Sequence, residues 1–236
     1  MSQGSAEKLS KELGHLSEVE VLDYFLKKFK DKVIFTTSLG AEDQVVTHLL
    51  HLTGQPFRII TLDTGRLFQE TYDAIETTEN KYGITIEKFF PDAANVEKMV
   101  NSLGINLFYK SVENRKLCCN VRKTEPLLRA LKGMDAWVTG IRREQAITRF
   151  NTALIEWDDN NGLYKVNPLK DWTTDQVWDY IKQNDIPYNS LHDKGFPSIG
   201  CLPCTRAVKP GEDIRAGRWW WEKPEHKECG IHTREK

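Results

Sequence analysis

The chain predicts an α/β fold around a mostly parallel sheet, on two observations. In its first two thirds, short apolar runs rich in β-branched residues alternate with amphipathic segments. Turns carrying Gly and hydroxyl residues follow those runs, at the strand ends where an open parallel sheet binds its ligands. With 236 residues the chain can build one substantial core, as a single larger domain or two small ones. Hydrophobic and charged fractions of 39% and 28% are those of an ordinary globular protein rather than a disordered one.

Taken in order, strands are predicted over 33–37, 57–62, 84–89 and 136–139, and helical spacing of apolar residues falls at 42–52, 67–82 and 95–103. A hairpin comes after them, 154–157 with 163–166 around Asp159-Asn160-Asn161-Gly162. Next comes a helix over 173–183, with Thr173, Thr174 and Asp175 as cap candidates. After Pro187 the periodicity fades into Gly, Pro and charged residues, the pattern of an extension folded onto the sheet domain and ending in a tail that moves. Residues 1–14 are polar, and the apolar stretch 19–29 is interrupted by Glu20, Asp23, Lys27 and Lys28, so no signal peptide is recognised and a cytoplasmic location is expected. No apolar run approaches the roughly 20 residues of a membrane span. A formal net charge of −1 argues against a nucleic-acid partner.

Three strand-end loops are candidate sites. Thr36-Thr37-Ser38-Leu39-Gly40-Ala41-Glu42-Asp43 leads into a helix N-terminus and suits a phosphate cradle; plain helix capping by Ser38 competes with that reading. Leu62-Asp63-Thr64-Gly65 offers backbone groups to an adenine or ribose, or is an ordinary turn. Gly140-Ile141-Arg142-Arg143-Glu144-Gln145, with Arg149 following, suits bidentate anion recognition, against a solvated charged face as the bland alternative.

The five cysteines divide into one and four. Cys229 lies in a charged, Gly-containing tail, Lys227-Glu228-Cys229-Gly230-Ile231-His232, whose electropositive surroundings favour a thiolate nucleophile over a stray exposed thiol. Cys118-Cys119 and the Cys201-Leu202-Pro203-Cys204 turn make a set of four, for which disulfides, zinc and an iron-sulfur cluster compete. Disulfides are rare in the cytosol. Adjacent cysteines fit one tetrahedral ion poorly but can reach neighbouring irons of a cubane, so a 4Fe-4S cluster is favoured over zinc. His15, His48, His51 and His192 lack ligand spacing with these cysteines. Trp219-Trp220-Trp221 is expected to anchor an arm by burial rather than stack on a base, and Trp137, Trp157, Trp172 and Trp178 are expected in the core.

These motifs, in this order from Ser38 to His232, resemble the adenylyl-sulfate (APS) and phosphoadenylyl-sulfate (PAPS) reductases, and specifically their bacterial iron-sulfur APS branch. The terminal Lys-Glu-Cys-Gly-Ile-His, the Cys-Cys with Arg122-Lys123 behind it, the Cys-x-x-Cys-Thr-Arg and the Arg-Ala-Gly-Arg-Trp-Trp-Trp run carry the resemblance. It implies a Rossmann-like adenine-nucleotide-binding fold related to PP-loop pyrophosphatases, with residues 1–205 as the reductase domain including the cluster site. Residues 206–236 would be an arm and mobile tail, not an independent domain. Ser38-Leu39-Gly40-Ala41-Glu42-Asp43 departs from the wider family's Ser-Gly-Gly-x-Asp-Ser, losing one Gly and the second Ser, and Ala146 replaces a common Ser.

The resemblance implies one 4Fe-4S cluster on Cys118, Cys119, Cys201 and Cys204, and attack by Cys229 on the sulfate sulfur of APS. AMP leaves and an S-sulfocysteine forms. Thioredoxin or glutaredoxin, as a separate protein, then releases sulfite. Lys123, Arg215 and Arg218 match positions that contact the phosphosulfate; Arg149 is added on the nucleotide phosphate side. Ser38, Gly40, Leu62 and Gly140 are assigned to the adenosine and phosphate pocket, and His232 to docking the tail or keeping Cys229 ionised. PAPS or dual use and, more remotely, a PP-loop sulfurtransferase acting on RNA are the alternative activities. A homo-oligomer is expected.

Overall fold

The computed structural model describes residues 1–146 and 149–223. Its strands are β1 (Val33–Thr37), β2 (Arg58–Leu62), β3 (Ile86–Phe89), β4 (Ala136–Val138), β5 (Ile155–Asp158) and β6 (Leu163–Val166). They form one sheet in the order β3-β2-β1-β4-β6-β5. β1 is parallel to β2 and to β4, β4 is parallel to β6, and β5 closes antiparallel on β6 as the expected hairpin. β1 and β4 are apolar and buried almost throughout, as befits central strands covered on both faces. The predicted strands at 57–62, 84–89 and 136–139 differ from β2, β3 and β4 by one or two residues at an end.

The helices are α1 (Gln3–Glu12), α2 (Glu18–Phe29), α3 (Ala41–Leu52), α4 (Gln69–Tyr82), α5 (Ala93–Leu103), α6 (Val112–Cys119), α7 (Glu125–Leu131) and α8 (Thr174–Gln183). α8 starts on a capping box, Thr173 with Gln176, and buries Val177 and Ile181 four residues apart. α1 and α2 form where the sequence reading places no helix. In α2, Ser17 and Glu20 make a capping box and Val21, Leu22, Phe25 and Leu26 give a buried stripe; the interleaved charges that broke the apolar run face outward. Periodicity marks no element between 104 and 135, although the four-residue spacing of Cys119 and Lys123 suggests a shared helix face; α6 and α7 lie there, joined by a π-helical turn over Asn120–Thr124.

Two compact units are distinguished. The first comprises 1–61, 73–87 and 131–189; the second comprises 62–72, 88–130 and 190–236. Of the expected core tryptophans only Trp137 is fully buried. Trp157, Trp172 and Trp178 are half-buried, as their polar ring edge allows: the Trp172 indole N–H donates to Glu18 Oε1 at 2.7 Å. No described helix is long and apolar enough to cross a membrane.

Candidate functional site

In the first unit the strand order reverses direction at β1, whose sequence successor β2 lies on one side and β4 on the other. The crevice beyond the carboxyl ends of β1 and β4 is therefore where an open sheet of this kind takes a ligand. The loop after β1 is built round Asp43. Its Oδ2 accepts the Ser38 N–H at 2.6 Å and the Ser38 hydroxyl at 2.7 Å. Ser38 is thus not the cap of α3; Gly40 is the N-cap, with no side-chain hydrogen bond. The Ser38 proton is committed to Asp43, so the hydroxyl has lone pairs left to offer a ligand. Leu39, wholly buried, holds φ at +58°, a conformation costing roughly 1–2 kcal/mol for a residue with a Cβ.

The loop after β4 backs directly onto this carboxylate. A Cβ at Gly140 would lie 2.2 Å from Asp43 Oδ1 and 3.2 Å from the Asp43 backbone nitrogen, so the close approach itself requires glycine. Burial raises the Asp43 carboxyl to about 6; the two hydrogen bonds from Ser38 oppose this, Glu42 adds to it, and the charge of Arg149 pulls it back. Ser38, Gly40, Gly140 and Arg149 are therefore brought round one acidic side chain that sequence reasoning did not single out.

The arginine loop divides in a way the run itself does not disclose. Arg142 is buried and fully engaged: its guanidinium donates to Glu42 Oε1 at 3.0 and 2.8 Å, to Glu144 Oε2 at 2.9 Å, to the Trp172 carbonyl at 2.8 Å and to Thr174 Oγ1 at 3.2 Å. It is neither an anion clamp nor a solvated charge. Arg143 is exposed, donating to the Thr152 carbonyl and pairing with Asp171 at 2.5 Å. Arg149 is half-buried and hydrogen-bonds Gln145.

In the second unit Cys118, Cys119, Cys201 and Cys204 all line one pocket, with Arg66, Arg115, Arg122 and Lys123 around it. All four are free thiols, so the disulfide reading finds no bonded pair among them. Among the described residues no group of three His, Cys, Asp or Glu converges closely enough to hold a single metal ion. Four cysteine thiols on one pocket are a soft donor set for a metal centre. A 4Fe-4S cluster takes four cysteine thiolates, one to each iron. The π-helical turn after Cys119 carries Arg122 and Lys123 onto the pocket wall beside the adjacent cysteines. Burial raises the Cys118 thiol, opposed by Arg122, and pushes Cys204 up to about 12, opposed by Lys123 and Arg218. Those cations lower the cost of the thiolates that metal binding demands.

Leu62, half-buried, ends β2, and the turn after it is tied to this same pocket. Asp63 Oδ1 accepts the Gly65 N–H at 2.8 Å and the Tyr72 hydroxyl at 3.0 Å, and Gly65 takes φ at +68°. Arg122 donates to the Thr64 carbonyl at 2.6 Å, and Thr64 Oγ1 lies 3.3 Å from Cys201 Sγ.

The arm beyond Cys204 folds back on the cysteines. Thr205 bridges Arg218, and the Trp219 N–H donates to the Cys204 carbonyl at 3.1 Å. Trp219 is buried against Met99, Leu107, Phe108, Cys118 and Cys204, Trp221 packs on Tyr109 at 4.5 Å between ring centroids, and Trp220 is exposed, so the triplet anchors as expected through two of its three rings. Buried Arg218 donates to the Ile199 carbonyl at 3.0 Å; a Cβ at Gly200 would lie 2.3 Å from its Nη2. Arg215 is half-buried. Cys229 and His232 lie outside the described residues. Sequence reasoning missed Asp43, Arg66, Arg115 and Glu222. Asp43 stands at the end of the loop after β1 and the other three border the sequence motifs, but only burial or a partner marks each as functional.

The model of the phosphoadenosine phosphosulfate reductase domain matches residues 32–207. An adenosine 5'-phosphosulfate reductase of Allochromatium vinosum is 52% identical over 217 residues, covering 92% of this chain and 84% of the relative. One of Burkholderia cepacia is 50% identical over 235 residues, covering 98% and 93%. Among solved structures, the phosphoadenylyl-sulfate reductase of Candida auris, a phosphate complex, superposes with a TM-score of 0.75 at 32% identity, covering 88% of this chain and 98% of that one. The FMN adenylyltransferase of Candida glabrata shares the fold alone, at a TM-score of 0.55 and 18% identity, covering 100% of this chain and 88% of that one. The sheet order, the strand-end loops and the match across three quarters of its length assign this chain to the phosphoadenosine phosphosulfate reductase domain family.

Proposed function

We propose that this chain reduces adenosine 5'-phosphosulfate to sulfite and AMP at the expense of a thioredoxin or glutaredoxin dithiol. The observation that carries this reading is its identity of about half, over nearly the whole chain, to relatives named adenosine 5'-phosphosulfate reductases. The presence of all four paired cysteines on one pocket supports the APS-specific, cluster-bearing form over use of PAPS. A cytoplasmic, homo-oligomeric enzyme is part of the same reading, as is an arm from residue 206 onward ending in a tail that moves between substrate and reductant.

In the first half-reaction the Cys229 thiolate attacks the sulfate sulfur; the S–O bond to the phosphate breaks, its electron pair stays on AMP, and Cys229 carries an S-sulfonate. In the second, a thiolate of the reductant attacks the Cys229 sulfur and expels sulfite; the partner thiol then resolves the mixed disulfide, leaving the reductant oxidised and Cys229 reduced. Lys123, Arg215 and Arg218 offset the charge that a thiolate meets as it approaches the phosphosulfate. Arg149 serves the nucleotide phosphate. Ser38, Gly40, Leu62 and Gly140 serve the adenosine and phosphate pocket, and His232 the docking or ionisation of Cys229. A 4Fe-4S cluster on Cys118, Cys119, Cys201 and Cys204 would supply fixed charge and structural order near Lys123, with no electron passing through it.

The test is sulfite release from APS and PAPS side by side with reduced thioredoxin. The wild type should turn over APS, and Cys229→Ser should bind nucleotide, keep iron and acid-labile sulfide, and release none. Turnover by the Ser variant, or stoichiometric zinc without iron, would overturn the respective part.

A further inference from the structure

One fully buried ion pair joins the cysteine pocket to the root of the tail, and we propose that this pair, Arg115 with Glu222, positions the terminal nucleophile for sulfur transfer. The inference rests on the proposed function, in which Cys229 attacks APS.

The two side chains are 1% and 2% exposed. Arg115 Nε donates to Glu222 Oε1 at 2.9 Å and Nη2 to Oε2 at 2.7 Å, a two-pronged contact that admits one relative orientation. Arg115 stands on α6 three and four residues before Cys118 and Cys119, on the same helix face, and its charge and hydrogen bonding also reach Cys119. Glu222 lies on the arm, where its N–H donates to the Trp219 carbonyl at 2.8 Å and the Trp219 N–H donates to the Cys204 carbonyl at 3.1 Å. The Arg115 and Arg218 guanidinium carbons each lie 4.7 Å from the Trp219 ring centroid. The arm is therefore tied to segments of both cysteine pairs, and Arg115, Trp219 and Arg218 form a continuous stack of charge and ring.

In the proposed reaction the chain beyond Glu222 serves as a tether. Cys229 is seven residues further on, and a chain of that length reaches at most about 25 Å. Over so short a span the concentration of the thiol at its target depends strongly on where the tether begins. Burial of Trp219 alone would let the arm slide or rotate, whereas a forked ion pair fixes the starting point and direction. Arg115 and Glu222 are thus positioning residues, acting through Cys229 and Arg218 rather than on the reacting atoms.

The test uses the full-length, cluster-loaded protein mixed rapidly with saturating APS, reductant omitted, and follows S-sulfonation of the Cys229 peptide. Glu222→Gln should form the adduct slower by about tenfold or more, while the APS dissociation constant moves by about threefold or less and the visible spectrum of the cluster is retained. Arg115→Lys keeps the charge but loses the fork and should be slowed in the same sense. A purely structural pair would lower thermal stability and cluster content yet leave the saturating rate of the loaded fraction unchanged; that result overturns the proposal, as does failure of both variants to fold with their cluster. No adduct in the wild type would instead remove the sulfur-transfer reading itself.

Discussion

Arg142 in the first unit and Arg115 in the second are the two most deeply buried arginines among the described residues, and they are secured in opposite ways. Arg142 in the first unit distributes its protons over Glu42, Glu144, a backbone carbonyl and a threonine hydroxyl, and its two carboxylate partners are 20% and 55% exposed. Arg115 in the second unit has its two-pronged contact with a single carboxylate, buried as deeply as itself and 107 residues away. Redundancy makes the first a tolerant brace of a loop. Reliance on one buried carboxylate makes the second a joint, and losing that carboxylate leaves a charge in a dry interior. Burial of a cation thus says little about its role until its partners are counted and placed.

Removing one carboxylate from each arginine should separate the brace from the joint. Glu222→Ala should cost about 3–5 kcal/mol, because the remaining charge is buried and uncompensated. The paired change Arg115→Met with Glu222→Leu should recover most of that loss, since apolar replacement of a buried ion pair is often neutral. Urea unfolding of the three proteins measures both. Gly140→Ala comes next: its Cβ would fall 2.2 Å from Asp43 Oδ1, and a backbone shift to relieve such overpacking costs about 1–3 kcal/mol. That shift should also weaken AMP binding, measurable by calorimetry. Glu42→Gln should cost less, about 1 kcal/mol, as Arg142 keeps its other acceptors.

The mildest consequence is a slope with pH. The Asp43 carboxyl is raised to about 6 in the folded protein, against roughly 3.9 in an unfolded chain. Between these values the folded state binds more protons than the unfolded one, so this group's contribution to stability falls as pH rises from about 4 to about 6 and is level above. The wild type should therefore lose stability relative to Asp43→Asn across that window. An opposite or absent difference in melting temperature between the two proteins would show that burial does not dominate at this carboxyl.

Much of the sheet was legible because β1 is a short β-branched run buried along its length, for which periodicity and neighbouring turns suffice. The α8 cap at Thr173 was legible for the same local reason. α2 was not, although Ser17-Glu18-Val19-Glu20 carries a capping box, because the charges that argued against a leader peptide also masked a helical stripe. The region of α6 and α7 failed for a different reason. A π-helical turn between them breaks the 3.6-residue period that a sequence argument relies on, and it does so where Arg122 and Lys123 meet the cysteine pocket. Gly140 was legible as a candidate but its reason was not: the demand comes from Asp43, 97 positions earlier, and no local pattern records that approach. Arg142 and Arg115 show the same limit, since pairing across about a hundred residues decides what an arginine does.

Whether a terminal cysteine takes the sulfonate from APS is decided by mass spectrometry of the C-terminal peptide after mixing protein with APS in the absence of any reductant. One sulfonate on Cys229, lost as sulfite when reduced thioredoxin is added, is the expected result. Sulfite release with thioredoxin from a protein whose Cys229 is never modified would contradict it.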